Sequence, residues 1–201
     1  MKETCGRIGR ATFFVMAGVA RLWKLGLVVG RFFLTSFVRP RIVPRESFFR
    51  QMVLMGIDST AIVSLVGASV GMVLALQAAY SLRTFGAVMY TGSLVGVAMA
   101  RELGPLIAAI VICGRIGARM AAEIGTMMVQ EEVDALTTMA INPVRYLVLP
   151  RVMALAIMLP CLTVIADIMG MIGGYLIGIT GLGINSYVYI SKTVDALVLK
   201  D

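Results

Sequence analysis

Residues 59–82 read STAIVSLVGASVGMVLALQAAYSL, and no charged side chain interrupts them. A helix rises 1.5 Å per residue, so about 20 apolar residues cross the ~30 Å of hydrocarbon in a bilayer. This run is long enough to span once. The surrounding chain agrees: 59% of its 201 residues are hydrophobic and only 14% are charged. A soluble domain of this size needs more charge to cover its surface. An all-α integral membrane protein is therefore expected.

Two further spans are expected, at 94–122 and 152–180. The second carries Arg101 and Glu102 about two turns in, followed by Gly104-Pro105, which should kink it. Charges at that depth are functional candidates by default, although an Arg–Glu arrangement that only locks helices together explains them too. The third span has Asp167 as its only charge. Small residues mark helix contacts: Gly67 and Gly71 share a face of the first span, and Gly170, Gly173, Gly174 and Gly178 form a close-packing face on the third. Gln77 is the polar exception in the first run, read either as an interhelical hydrogen bond or as the lining of a polar cavity.

Charge is distributed unevenly. Residues 1–50 hold ten Lys/Arg against Glu3 and Glu46, while the remainder is nearly balanced. At 100° per residue, Arg7, Arg10, Arg21, Lys24 and Arg31 occupy an arc of roughly 120°, with Phe13, Phe14, Leu22, Trp23, Phe32 and Phe33 helping to fill the rest. Residues 7–38 thus read as an amphipathic helix lying on anionic lipid, with a tilted, poorly insulated span as the alternative. Residues 39–50 form a basic connector broken by Pro40 and Pro44. The coarse division is then 1–50 as interfacial helix and connector, and 51–201 as the membrane domain.

With the basic N-terminal region in the cytosol, the chain exits at 83–93, returns at 123–150 and exits again after about 180. The outside segments then hold only Arg83, Lys192 and Lys200, as the positive-inside rule asks. Residues 181–201 read as a polar tail. The segment 123–150 falls in the cytosol. Within it Val129, Val133, Leu136 and Ala140 recur at helical spacing, which predicts a short helix over 129–140 ended by Asn142-Pro143. Glu131, Glu132 and Asp134 lie in its first half, where the helix dipole favours them.

Several function classes are hard to build from this chain. It has no histidine, no metal-ligand cluster, no nucleophile–base pair, and its three cysteines are far apart. No Gly-x-x-x-x-Gly-Lys-Ser/Thr is present, so ATP chemistry by a P-loop would have to come from another subunit. Nothing points to nucleic acid. An ion- or proton-coupled secondary transporter using Arg101, Glu102 and Asp167 is the main alternative to a motor-driven permease, and a scaffold without transport of its own is the third.

Six short blocks then occur in order: Glu-Leu-Gly-Pro at 102–105, Gly-Arg-x-Gly at 114–117 and Ala-Glu-x-Gly-Thr-Met at 122–127. Glu-x-x-Asp-Ala-Leu follows at 131–136, Asn-Pro at 142–143 and Pro-Arg at 150–151. With GMVLALQ before them and the Gly-rich third span after, this pattern resembles the MlaE/YrbE-type permeases of MCE-associated ABC transporters. The likeness covers about residues 45–195.

The resemblance implies an N-terminal interfacial helix and five spans, so three spans here suggest a fragment or a truncated gene. It implies a permease that moves phospholipid or a related lipid between the inner membrane of a bacterium and an MCE protein, with the plastid inner envelope as an alternative location. A second permease copy, ABC ATPase subunits and a STAS-domain protein are the other implied partners. ATP and Mg would belong to the ATPase, leaving this chain without a cofactor. On that reading 129–140 is the coupling helix, acting through Glu131, Glu132, Val133, Asp134 and Leu136. Leu74, Gln77, Ala78 and Ser81, which share a face, would line the lipid cavity with Arg101 and Glu102. Gly67, Gly71, Gly104, Pro105, Gly173 and Gly174 would serve packing and the kink.

Overall fold

The computed structural model describes residues 45–198 and, separately, Gly30. Apart from Gly30, the interfacial helix expected over 7–38 and the start of its connector lie outside the described residues. Among the described residues every regular element is helical.

The first long rod begins with α1 (Arg45–Met52), passes through a π-helical turn at Val53–Ile57 and continues as α2 (Asp58–Arg83). A bend with Gly86 at a φ of 63° leads to a 3-10 turn (Val88–Tyr90) and the second rod. That rod comprises α3 (Thr91–Ala98), a π turn at Met99–Leu103, and α4 (Gly104–Val129). A short helix, α5 (Glu132–Thr138), precedes the third rod. This rod starts with a π turn (Val144–Val148) and becomes α6 (Leu149–Thr180). Finally α7 covers Ser186–Val198.

The three rods are long and apolar enough to cross a membrane: Phe48–Arg83, Val88–Val129 and Val144–Thr180. Each is longer than the run expected from hydropathy. Nothing breaks the helices where the hydrocarbon would end, so they continue until a turn residue or a cap stops them. The third shows this best. Asn142-Pro143 was expected to end the preceding helix, yet Asn142 Oδ1 accepts the backbone N–H groups of Val144 and Arg145 at 3.1 and 3.4 Å. It caps the start of the third rod, and Pro143 sits just inside, where its missing N–H is harmless.

Pro105 is absorbed differently from a simple kink. In an unbroken α-helix its ring would meet the carbonyl four residues earlier, at Arg101. The π turn at Met99–Leu103 covers that residue. Pro150 repeats the arrangement, with Tyr146 inside the π turn Val144–Val148. Inserted π turns of this kind are a recognised way for a helix to accommodate such a clash, and they recur at functional sites.

Close packing of α2 on α6 dominates the interior. A β-carbon on Gly67 would lie 2.9 Å from the carbonyl oxygen of Ala166, and one on Gly71 would run into that of Gly170. A β-carbon on Gly173 would run into the Ala68 carbonyl, while one on Gly174 would sit 2.8 Å from Val95 Cγ1. Met55, Val63, Ile112, Ile116, Ala154, Leu162 and Ala166 make one apolar cluster among α2, α4 and α6. Ala75, Val95, Met99 and Ile107 make a second around the middle of the second rod. Only 17% of the most apolar window of the third rod is buried, so the rest of that surface is left for lipid or further helices.

The expected polar tail is in fact helical in part. Tyr189 and Thr193, one turn apart on α7, are buried against Gly92 and Gly96 of α3, and Ser93 Oγ donates to the Lys192 carbonyl at 2.8 Å. The stripe is short and mixed with polar residues, so its period is faint in the sequence.

Candidate functional site

Arg101 and Glu102 occupy the π turn in the second rod, and both are exposed on its surface. The turn is held from behind. Met99 is fully buried, and buried Gly104 lies against Asp167 of α6, whose Oδ1 fills the space a β-carbon on Gly104 would need. That Oδ1 atom is itself buried without a hydrogen-bond partner among the described residues. Small and apolar residues thus fix the turn, and its two charged residues remain exposed.

The face Leu74, Gln77, Ala78 and Ser81 is split by the structure. Leu74 packs against the cluster of Ala75, Val95, Met99 and Ile107, which places this part of α2 beside the charged turn. Ala78 is half-buried, whereas Gln77 and Ser81 are exposed. Ser81 Oγ donates to the backbone carbonyl of Gln77 at 3.1 Å, a bond within α2. The exposed positions 77, 81, 101 and 102 therefore belong to outer surfaces of the single chain and not to a closed internal cavity.

Between the second and third rods, α5 is shorter than the 129–140 helix expected. Val129 is the last residue of α4 and is exposed, and the chain then reverses through Glu131, whose φ of 58° is left-handed. Ala140, also left-handed with a φ of 60°, lies beyond the helix end. The apolar stripe is consequently reduced to Val133 and Leu136. With Met127, Met139, Tyr146 and Leu147 they line a cavity of about 210 Å³ inside the α4–α6 hairpin. Glu132 and Asp134 occupy the first turn, and both they and Glu131 are exposed.

Two polar contacts were not anticipated from sequence. Arg115 Nη1 donates to Ser59 Oγ at 2.7 Å, joining α4 to α2. Arg151, with its side chain only 5% exposed, pairs through Nη2 with Glu123 Oε1 at 2.8 Å, joining α6 to α4. Each arginine and Glu123 stands in one of the short sequence blocks, yet spacing along the chain does not say which blocks meet. Among the described residues no group of acids or cysteines is placed to hold a metal.

Comparison with known proteins bears on the whole arrangement. The family model described as Permease MlaE matches residues 48–201. A probable ABC transporter permease protein of Rickettsia typhi is 40% identical over 183 residues, which is 89% of this chain and 71% of the relative. A probable ABC transporter permease protein of Synechocystis is 38% identical over 184 residues, 90% of this chain and 70% of the relative. The intermembrane phospholipid transport system permease protein MlaE of Haemophilus influenzae is 35% identical over 177 residues, 87% of this chain and 64% of the relative. With three spanning helices and these relatives, this multi-pass membrane chain belongs to the MlaE family of ABC transporter permeases.

Proposed function

We propose that this permease moves phospholipid, or a lipid of the same class, between the inner membrane and an MCE-domain acceptor. The observation that carries the reading is the charged π turn: Arg101 and Glu102 stand exposed within a membrane-spanning rod, braced by Met99, Gly104 and Asp167. A guanidinium there can pair bidentately with a lipid phosphate in a medium of low dielectric. Gln77 and Ser81 are polar and exposed on α2 as well. In this reading a second permease copy closes the cavity that one chain leaves open.

The energy comes from a separate ABC ATPase carrying ATP and Mg, which seats the α5 hairpin through Glu131, Glu132 and Asp134. A STAS-domain subunit is a further expected partner, and the compartment is the bacterial inner membrane. The phospholipid transport name of the Haemophilus influenzae relative supports this substrate class. Ion-coupled secondary transport through Arg101, Glu102 and Asp167 loses ground, because the relatives are ABC permeases.

Lipid transfer between proteoliposomes and a purified acceptor, with the ATPase and ATP present, tests the proposal. Arg101→Ala should abolish transfer while expression and assembly with the ATPase stay near normal. Undiminished transfer by that variant would remove Arg101 from the lipid path. Loss of assembly would assign it to helix locking instead.

A further inference from the structure

Lipid binding and ATPase docking leave the blocks Ala-Glu-x-Gly-Thr-Met, containing Glu123, and Pro-Arg, containing Arg151, without a role. The structure joins them. Arg151 is buried near the start of α6, and its only ion-pair partner among the described residues is Glu123 of α4, 2.8 Å away. A buried guanidinium stays charged, so it depends on that carboxylate. Its Nη1 atom has no other partner.

The location of the pair is informative. On one side of it lie the last turns of α4, the left-handed Glu131 and α5; on the other lie the Asn142 cap, the π turn Val144–Val148 and Pro150. The pair therefore closes the base of the hairpin that carries α5. Above it, α4 and α6 are joined by Ile112, Ile116, Ala154 and Leu162 in the apolar cluster. Below it, the link to α6 runs through a π turn, a less regular stretch of helix. A push on α5 that met only the π turn would be absorbed there. The ion pair offers a direct connection from α4 to the regular part of α6.

We propose that Glu123 and Arg151 are a positioning pair for coupling: they make α4 and α6 move together when the ATPase displaces the α5 hairpin. This inference rests on the proposed ATPase docking. Arg151 is buried and Glu123 is 42% exposed, so losing the carboxylate strands the buried guanidinium, which suits a role in geometry.

The test uses the complete permease with its ATPase in proteoliposomes, comparing wild type, Glu123→Gln, Arg151→Lys, and the reversed pair Glu123→Arg with Arg151→Glu. Co-purification of the ATPase, ATP hydrolysis and lipid moved per ATP are measured. In addition, spin labels at the exposed positions Met128 on α4 and Ala156 on α6 report the α4–α6 distance after the native cysteines are replaced by Ser. Glu123→Gln should retain the ATPase but lower lipid moved per ATP at least tenfold, and nucleotide should broaden the label distance. The reversed pair should recover a substantial part of both. Wild-type coupling and an unchanged distance in Glu123→Gln would overturn the inference alone. Loss of the ATPase from Glu123→Gln would overturn it in favour of a structural role. If wild-type permease neither binds nor is driven by the ATPase, the proposed function fails first.

Discussion

The Asp167 carboxyl of α6 occupies the space that a β-carbon on Gly104 would need, at the C-terminal edge of the π turn that presents Arg101 and Glu102. The position of the two charges thus depends on the absence of a side chain one turn away and on an acid from a different span. Gly104→Ala should overpack this contact and destabilise the permease by about 1–3 kcal/mol. Because the obstructing atom is the end of a side chain, Asp167→Ala should relieve much of the damage. Melting in detergent of the two single variants and the double variant checks this. Strictly additive losses would show that the two positions do not interact.

A sharper steric prediction concerns Gly71. Its hypothetical β-carbon meets the backbone of Gly170, which has no flexible side chain to move aside. Gly71→Ala should therefore separate α2 from α6 and destabilise the permease by about 1–3 kcal/mol, read as a lower melting temperature in detergent. Gly114→Ala is the matched control, since no atom lies within 4 Å of the added carbon. It should be neutral, or stabilising by about 0.5–1 kcal/mol through helix propensity. Equal effects at both positions would contradict close α2–α6 packing.

Asn142 provides a test of the helix start. Its Oδ1 accepts two backbone N–H groups at the beginning of the third rod. Asn142→Ala should destabilise that end by about 1 kcal/mol, whereas Asn142→Asp should retain the cap. Faster hydrogen exchange at residues 144–148 in the Ala variant alone is the expected signature. Identical exchange in both variants would deny the cap any energetic role.

Docking of the ATPase can be tested at the acidic residues of α5. Glu132 and Asp134 are exposed in the first turn of α5, so reversing them as Glu132→Arg with Asp134→Arg should cost the permease only about 1–2 kcal/mol through the helix dipole. The double variant should nevertheless release the ATPase on purification and lose lipid-stimulated hydrolysis. Leu136→Asp is a less specific probe, because Leu136 lines the cavity inside the hairpin and its loss disturbs that packing first. If the charge-reversed permease retains the ATPase and its stimulation, α5 is not the docking helix.

Membrane insertion, the all-helical class and the placement of three spans were legible in the sequence, because long uncharged runs have few other structures open to them. The local blocks around Arg101-Glu102, Glu131–Leu136 and Asn142-Pro143 were legible as well, and with them the family. Element ends were less so. The hydropathy of 152–180 gives no sign that the helix begins at Val144, since that start is set by the Asn142 side chain and not by lipid. Likewise the apolar spacing of Val129, Val133, Leu136 and Ala140 fits one helix, but left-handed backbone at Glu131 and Ala140 cuts it short.

What only the tertiary structure decided is which residues meet. Gly67 and Gly71 were recognisable as a contact face, but the face they meet, Ala166 and Gly170, follows from how α2 lies on α6. Glu123 and Arg151 were visible as members of separate blocks, and only the return of the chain through α5 brings them to 2.8 Å. The physical reason is one of range. Hydrophobicity, backbone propensity and charge bias act on neighbouring residues and can be read in order along the chain. An ion pair between two spans, or a carboxyl filling the gap beside a distant glycine, is fixed by packing that no local window contains.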